Sequence, residues 1–128
     1  MRKYLFVALS AVVLGLAGAA FAQTPPTKIG DSAKGKVLTN EQGMTLYTFA
    51  KDADGKSACN GPCATNWPPL QASADAKPAE GYTIIVRADG SKQWAFKGKP
   101  LYTWKNDHKP GDIDGDGKLN GAWHIATP

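Results

Sequence analysis

Short runs of alternating apolar and polar residues, broken by glycine, proline and asparagine, recur along the chain from Lys34 onward. Lys36-Val37-Leu38-Thr39 is one run, Asn40-Glu41-Gln42-Gly43 a turn, and Met44-Thr45-Leu46-Tyr47-Thr48-Phe49 a second run. β-Branched and aromatic residues on either side of a glycine-ended turn predict a hairpin. Tyr82 to Arg87 is the most β-prone run. Ala88-Asp89-Gly90-Ser91 carries an Asp-Gly turn signature, and Lys92 to Lys97 returns. Leu101-Tyr102-Thr103-Trp104 and Ala122-Trp123-His124-Ile125-Ala126 complete the set. Two consecutive prolines in Trp67-Pro68-Pro69-Leu70 exclude a central strand or a helix interior there. Gln71 to Gly81 reads as an alanine-rich connector. No segment sustains the helical period. The expectation is an all-β domain of about six or seven short antiparallel strands.

The two long polar stretches, Lys51 to Asn66 and Lys105 to Gly121, fall between related runs. Laying Leu46-Tyr47-Thr48-Phe49 over Leu101-Tyr102-Thr103-Trp104 also brings Asp52 over Asp107. Beyond each aspartate comes a glycine-rich loop and then a tryptophan, Trp67 in one copy and Trp123 in the other. Self-similarity at fixed spacing marks one structural unit occurring twice. The units are strand-loop-strand repeats over about 36–70 and 82–127. Side chains alternate along a strand, so Tyr47 and Phe49 share one face while Leu46 and Thr48 share the other. Asp52 follows where the strand ends, and a carboxylate there accepts backbone N–H groups and fixes a turn. Two readings stand for Tyr47, Phe49, Asp52, Trp67, Tyr102, Trp104, Asp107, Trp123 and His124. They are a folding device, or a binding surface that offers hydrogen bonds and a stacking platform.

The start of the chain gives an address. Met1-Arg2-Lys3-Tyr4 is cationic, Leu5 to Ala20 is apolar and uncharged, and Ala20-Phe21-Ala22 offers small residues where a signal peptidase reads. Residues 1–22 are therefore expected as a signal peptide cleaved after Ala22, followed by a flexible leader over 23–33 and the domain over 34–128. The apolar run is shorter than the roughly 20 residues a membrane span needs. No cysteine stands near the cleavage position to accept a lipid, so the expected product is periplasmic or secreted without an integral span. The precursor charge of +4 falls to +2 once Arg2 and Lys3 are gone. That balance, with basic residues scattered singly, argues against nucleic acid as a partner.

The only cysteines, Cys59 and Cys63, enclose Asn60-Gly61-Pro62. In an oxidising compartment an even count predicts a local disulfide. A redox pair or a soft-metal site is the alternative. Redox motifs space their cysteines by two and open a helix, whereas here the spacing is three and Gly61-Pro62 indicates a turn.

Gly43 through Asp52, Cys59 through Cys63, Trp67-Pro68-Pro69, Gly111-Asp112 to Asp116-Gly117 and Trp123-His124 together resemble the bacterial secreted-repeat family. Its members are described as predicted lipoproteins with a Tyr-x-(Phe/Trp/Tyr)-x-x-Asp motif. The resemblance covers nearly the whole chain after residue 22. It implies an exported β-rich domain without an established general activity. The chain departs from the lipoprotein label by lacking the lipid-accepting cysteine.

Asp112, Asp114 and Asp116 alternate along Gly111 to Gly117 like the first half of a calcium loop. The twelfth position from Asp112 is Trp123, not the bidentate glutamate. Weak calcium binding, with Asp107 or Asp52 as replacement ligand, is one expectation; aspartates capping turns is the other. Met44, His108, His124 and the cysteines are soft donors suited to copper or haem, but no haem attachment motif is present. Ser57 and Ser91 lack a nucleophile-elbow context, and no phosphate loop occurs. No cofactor is expected beyond calcium. The sequence thus points to an exported non-enzymatic envelope protein, binding or structural, with an unnamed envelope partner or small ligand. Metal binding or redox activity is the alternative.

Overall fold

The computed structural model describes residues 24–128. The signal peptide, the cleavage after Ala22 and Gln23 lie outside the described residues. Strands are β1 (Lys28–Ser32), β2 (Gly35–Thr39), β3 (Tyr47–Phe49), β4 (Tyr82–Val86), β5 (Lys92–Phe96), β6 (Lys99–Pro100) and β7 (Trp123–Ile125). Two short helices occur among the described residues: α1 (Pro62–Asn66), which starts inside the cysteine loop, and α2 (Lys118–Gly121), a single distorted turn before β7. The all-β reading with seven short strands holds, and every pairing among the strands is antiparallel.

Each repeat opens with a hairpin whose turn is fixed by a side chain. Between β1 and β2, Ser32 Oγ accepts the Lys34 N–H at 3.1 Å and donates to the Gly35 carbonyl at 2.9 Å. Between β4 and β5, Asp89 Oδ1 accepts the Ser91 N–H at 2.9 Å, and Gly90 supplies a φ of 88°. The second hairpin is where the Asp-Gly signature placed it. The first corrects the flexible leader expected over 23–33, because Lys28–Ser32 is a strand paired along its length with β2. Its polar composition and exposed Ile29 conceal it. The backbone ladder and the serine-closed turn hold this strand, with little apolar burial to signal it in the sequence. The expected turn after Thr39 is present as well: Asn40 Oδ1 accepts the N–H groups of Gln42 and Met44. Leu46 then donates to the Leu38 carbonyl at 2.9 Å.

The repeats do not close on themselves. The return strand β7 of the second repeat pairs with β3 of the first, with Phe49 opposite Trp123 and Tyr47 opposite Ile125. The return of the first repeat pairs with the motif strand of the second: Leu70 donates to Leu101 and Thr103 donates to Pro68, each at 2.9 Å. Pro68 costs nothing in this position, because its carbonyl is what the pairing uses, and the donor from this segment is Leu70 rather than either proline. At the centre, Tyr47 donates to the Tyr102 carbonyl at 2.7 Å and Tyr102 returns the bond at 3.0 Å. The two motif strands therefore meet across an approximate two-fold axis.

Strand alternation divides the core as the period requires. Leu46 and Leu101 join Leu38, Tyr82 and Ala126 in one cluster. Tyr47 and Tyr102 join Cys59, Trp67 and Trp123 in the other, with Phe49, Cys63 and Trp104 at its margin. Cys59 and Cys63 form the expected disulfide. Where the sequence indicated a simple turn at Gly61-Pro62, Pro62 instead starts α1. The missing proline N–H is no loss in a helix's first turn. Cys59 is fully buried and Cys63 half-buried, so the bridge clips the loop onto the aromatic cluster.

Alkylation of native protein without reductant should label neither cysteine. Reduction should lower the unfolding free energy by about 2 kcal/mol, the loop being short. Labelling of both thiols in native material would show the bridge absent.

Candidate functional site: the crossed tyrosine–aspartate latch

Each motif strand ends in the same local device. Asp52 donates its N–H to the Phe49 carbonyl at 3.0 Å, and Asp107 donates to that of Trp104 at 3.1 Å, turning the chain out of the strand. The carboxylate then reaches forward. Asp52 Oδ1 accepts the Ala58 N–H at 2.6 Å, and Asp107 Oδ1 accepts the Asp114 N–H at 2.9 Å. One oxygen of each aspartate thereby organises the loop of its own repeat.

The other oxygen goes to the opposite repeat. Tyr47 donates its phenol hydrogen to Asp107 Oδ2 at 2.6 Å, and Tyr102 donates to Asp52 Oδ2 at 2.7 Å. Both tyrosines are fully buried. Tyr47 Oη in turn accepts the Gly115 N–H at 3.2 Å. Tyr102 Oη bonds Ser57 Oγ at 2.6 Å. The spacing of the motif follows from these bonds. The tyrosine must sit mid-strand facing inward, and the aspartate must follow the strand end to reach both a loop amide and the partner phenol.

The motif's middle aromatic is crossed in the same way. Phe49 stacks on Trp123 of the other repeat at 4.2 Å, and Trp104 lies on Trp67 at 4.2 Å. Trp67 and Trp123 stack on one another at 3.8 Å with planes 2° apart. Each tyrosine meets the tryptophan of its own repeat edge-on, Tyr47 with Trp67 at 5.4 Å and Tyr102 with Trp123 at 5.1 Å. Such pairs contribute about 0.5–1.5 kcal/mol each beyond the area they bury.

Electrostatics keep the latch in one protonation form on the donor side. Burial, reinforced by the Asp107 hydrogen bond, holds the Tyr47 phenol well above its ordinary range. Burial pushes Tyr102 up to about 12. Both therefore remain donors near neutral pH. Burial also raises the Asp52 and Asp107 carboxyls, despite the donors that favour their charged forms. A native carboxyl with a raised pKa binds its proton more readily than the unfolded chain does. Stability from these two groups is thus greatest below the unfolded value and declines as pH rises through the folded one.

The loops differ where the repeats diverge. In the first, buried Arg87 donates to Ser57 Oγ at 2.9 Å, Gln93 Oε1 at 2.7 Å and the Cys59 carbonyl at 2.5 Å. Arginine and disulfide together pin the segment that presents Ser57 and the Ala58 amide. In the second, the aspartates do this work. Asp112 Oδ2 accepts the N–H groups of His108 and Lys109, and its Oδ1 meets Lys109 Nζ at 2.9 Å. These donors bring the Asp112 carboxyl down to about 2. Gly115 is fixed by space: a Cβ there would lie 2.8 Å from Trp67 Cη2 and 3.0 Å from Trp104 Cγ.

Of the acidic residues set out in the sequence as a calcium loop, Asp112 and Asp114 come together with Asp107, with oxygens within 4.8 Å of one another. Asp116 does not join them. A turn from Ile113 to Asp116 carries it away to Lys34 Nζ at 2.6 Å and the Ile125 N–H at 3.2 Å. Both oxygens of Asp107 and both of Asp112 already accept donors. These bonds cap the turns of the loop. Among the soft donors, both sulfurs are in the disulfide, His108 and His124 are exposed on separate elements, and Met44 is half-buried near the first turn.

A family model described as a secreted repeat of unknown function matches residues 28–71 and again 83–127. The chain belongs to this family. The two matched segments coincide with the two hairpin-motif-return units, and the family is one of secreted proteins. No curated protein and no solved structure matches the chain. Among the described residues no helix is long and apolar enough to cross a membrane. Sequence reasoning set Tyr47 over Tyr102 and Asp52 over Asp107 as equivalents. It did not show that each tyrosine bonds the other repeat's aspartate. It also missed Arg87, Ser57 and Gly115. Gly115 alone carried a signal, as a glycine within the acidic loop.

Tyr47→Phe should cost about 1–3 kcal/mol by leaving a buried Asp107 oxygen without its donor. A double-mutant cycle with Asp107→Asn should return a coupling of about 1 kcal/mol or more, measured by denaturant unfolding. Tyr102→Phe with Asp52→Asn should behave alike, while the non-crossed pair Tyr47 and Asp52 should be additive.

Proposed function

We propose that this chain is an exported, non-enzymatic binding protein of the cell envelope. On this reading the signal peptide is removed after Ala22, and the duplicated motif is scaffold. The binding seat is a cleft beside Phe49. The observation that carries the reading is where the buried aromatic stack comes to the surface. Phe49, stacked on Trp123 through one face, lines a cleft of about 500 Å³ with Asp52, Asp54, Lys97, Lys99 and His124. That volume suits a small organic ligand. The phenyl ring provides a flat apolar wall, and exposed Lys97 and Lys99 provide cations at the rim. Lys97 takes a φ of 52° in the β5–β6 turn, where glycine or asparagine fits more easily. The matching ligand is a small aromatic molecule bearing an acidic group. A second cleft of about 530 Å³ is walled partly by Thr24, Pro25 and Pro26, next to the proposed cleavage position, and is a weaker seat.

A non-enzymatic role is supported by the occupation of the half-buried Ser57 hydroxyl. Ser57 Oγ bonds Arg87, Tyr102 and the Cys59 N–H at once, with no base to activate it.

Thermal unfolding in the presence of a panel of aromatic and aliphatic carboxylates tests the reading, since a ligand selective for the native state raises the midpoint. Aromatic acids should raise it and aliphatic acids of equal charge should not. The gain should vanish in Lys97→Ala/Lys99→Ala. No midpoint shift and no NMR shift change at Phe49 or His124 would rule out the binding seat.

A further inference from the structure

The aromatic cluster holds five readily oxidised rings in contact: Trp104, Trp67, Trp123, Tyr47 and Tyr102. Centroids step from Trp104 to Trp67 at 4.2 Å and on to Trp123 at 3.8 Å. Tyr47 branches from Trp67 at 5.4 Å and Tyr102 from Trp123 at 5.1 Å. Rings this close exchange electrons without an intervening gap.

Their proton connections differ, and that difference gives the cluster a direction. The Trp123 indole N–H is buried with no hydrogen-bond acceptor among the described residues, so an oxidised Trp123 has nowhere to send its proton. The phenols do have acceptors. Tyr47 donates to Asp107 at 2.6 Å and Tyr102 to Asp52 at 2.7 Å, both short enough for transfer. At the half-buried outer end, Lys118 Nζ lies 5.4 Å from the Trp104 ring centroid, so a positive hole is disfavoured there and moves inward. Phe49, at the far end beyond Trp123, is much harder to oxidise than any indole or phenol and closes that exit.

We propose that the indole stack is a one-electron conduit through which an oxidant at the surface beside Trp104 draws an electron from the buried phenols of Tyr47 and Tyr102. The oxidant, an outer-sphere one-electron acceptor of high enough potential to oxidise an indole, is reduced by one electron taken from Trp104. Trp67, and Trp123 on the longer branch, pass the vacancy inward. The phenol supplies the electron, and its O–H bond breaks as the proton moves to Asp107 or Asp52. The products are a neutral tyrosyl radical, a neutral carboxylic acid and the reduced oxidant. One electron from a one-electron reductant, with the proton returning along the same hydrogen bond, restores the start. Burial raises both carboxyls, which favours proton receipt. The inference is independent of the ligand cleft beside Phe49.

Exported protein in a Tyr82→Phe background, oxidised by photogenerated ruthenium(III) tris-bipyridine, tests it by transient absorption and electron paramagnetic resonance. Tyr82 lies in the other core cluster, so its removal isolates the latch phenols. A tyrosyl radical should form and outlast any indole radical. Asp52→Asn/Asp107→Asn retains an acceptor oxygen but not a base, and should lose the tyrosyl signal in favour of an indole radical. Trp104→Phe, at the half-buried end, keeps an aromatic ring on Trp67 and should slow tyrosyl formation in protein that still unfolds cooperatively. If the aspartate variant does not fold, the Trp104→Phe rate decides alone. A tyrosyl yield unchanged by the aspartate substitutions, an unchanged rate in Trp104→Phe, or an indole radical alone in the parent would each overturn the conduit.

Discussion

A buried phenol donating to a carboxylate of the other repeat is the interaction on which this fold depends. Tyr47 to Asp107 and Tyr102 to Asp52 are each other's image across the strand pair at the centre of the domain. A buried charged acceptor is costly unless its donors are in place. Each aspartate has its donors only when both repeats are folded, because one comes from its own loop and one from the opposite strand. The same crossing governs the return strands and the Phe49–Trp123 and Trp104–Trp67 contacts. Neither repeat contains a complete set of partners.

This arrangement explains how a small domain without a long strand or helix is held. Its core is split into two clusters, each modest in size. A few dense interactions compensate: a continuous aromatic stack, two charge-assisted hydrogen bonds and one disulfide. The duplicated part is the latch and the stack. The loops between them are where the repeats differ. One is pinned by Arg87 and the Cys59–Cys63 bridge, the other by Asp112, Lys109 and the close approach of Gly115 to two indoles. The latch therefore constrains the loop ends while leaving loop chemistry open.

Much of this was legible in the residues. The offset between the motifs gave the duplication, β-prone runs with glycine-ended and Asp-Gly turns gave the hairpins, and strand alternation assigned Tyr47 and Leu46 to different faces. What escaped has common physical causes. A register match identifies equivalent residues but says nothing of which copy an equivalent residue touches, so the crossing was invisible. Strand β1 carries few buried apolar groups, so hydropathy missed it. Asp116 alternates with Asp114 in sequence, yet a turn directs it to Lys34 instead. Arg87 gave no signal because a buried arginine among neutral oxygens has no sequence pattern.

Mutual completion implies that the repeats open together. Native-state hydrogen exchange at the Leu46 and Leu101 amides measures this most directly. The first bonds the Leu38 carbonyl and the second that of Trp94, each within its own repeat. Crossed partners require both amides to exchange through one global opening, with equal free energies and equal denaturant dependence. An appreciably lower opening free energy for either amide would show that one repeat unfolds while the other stands, and would contradict the crossed latch as the basis of the fold.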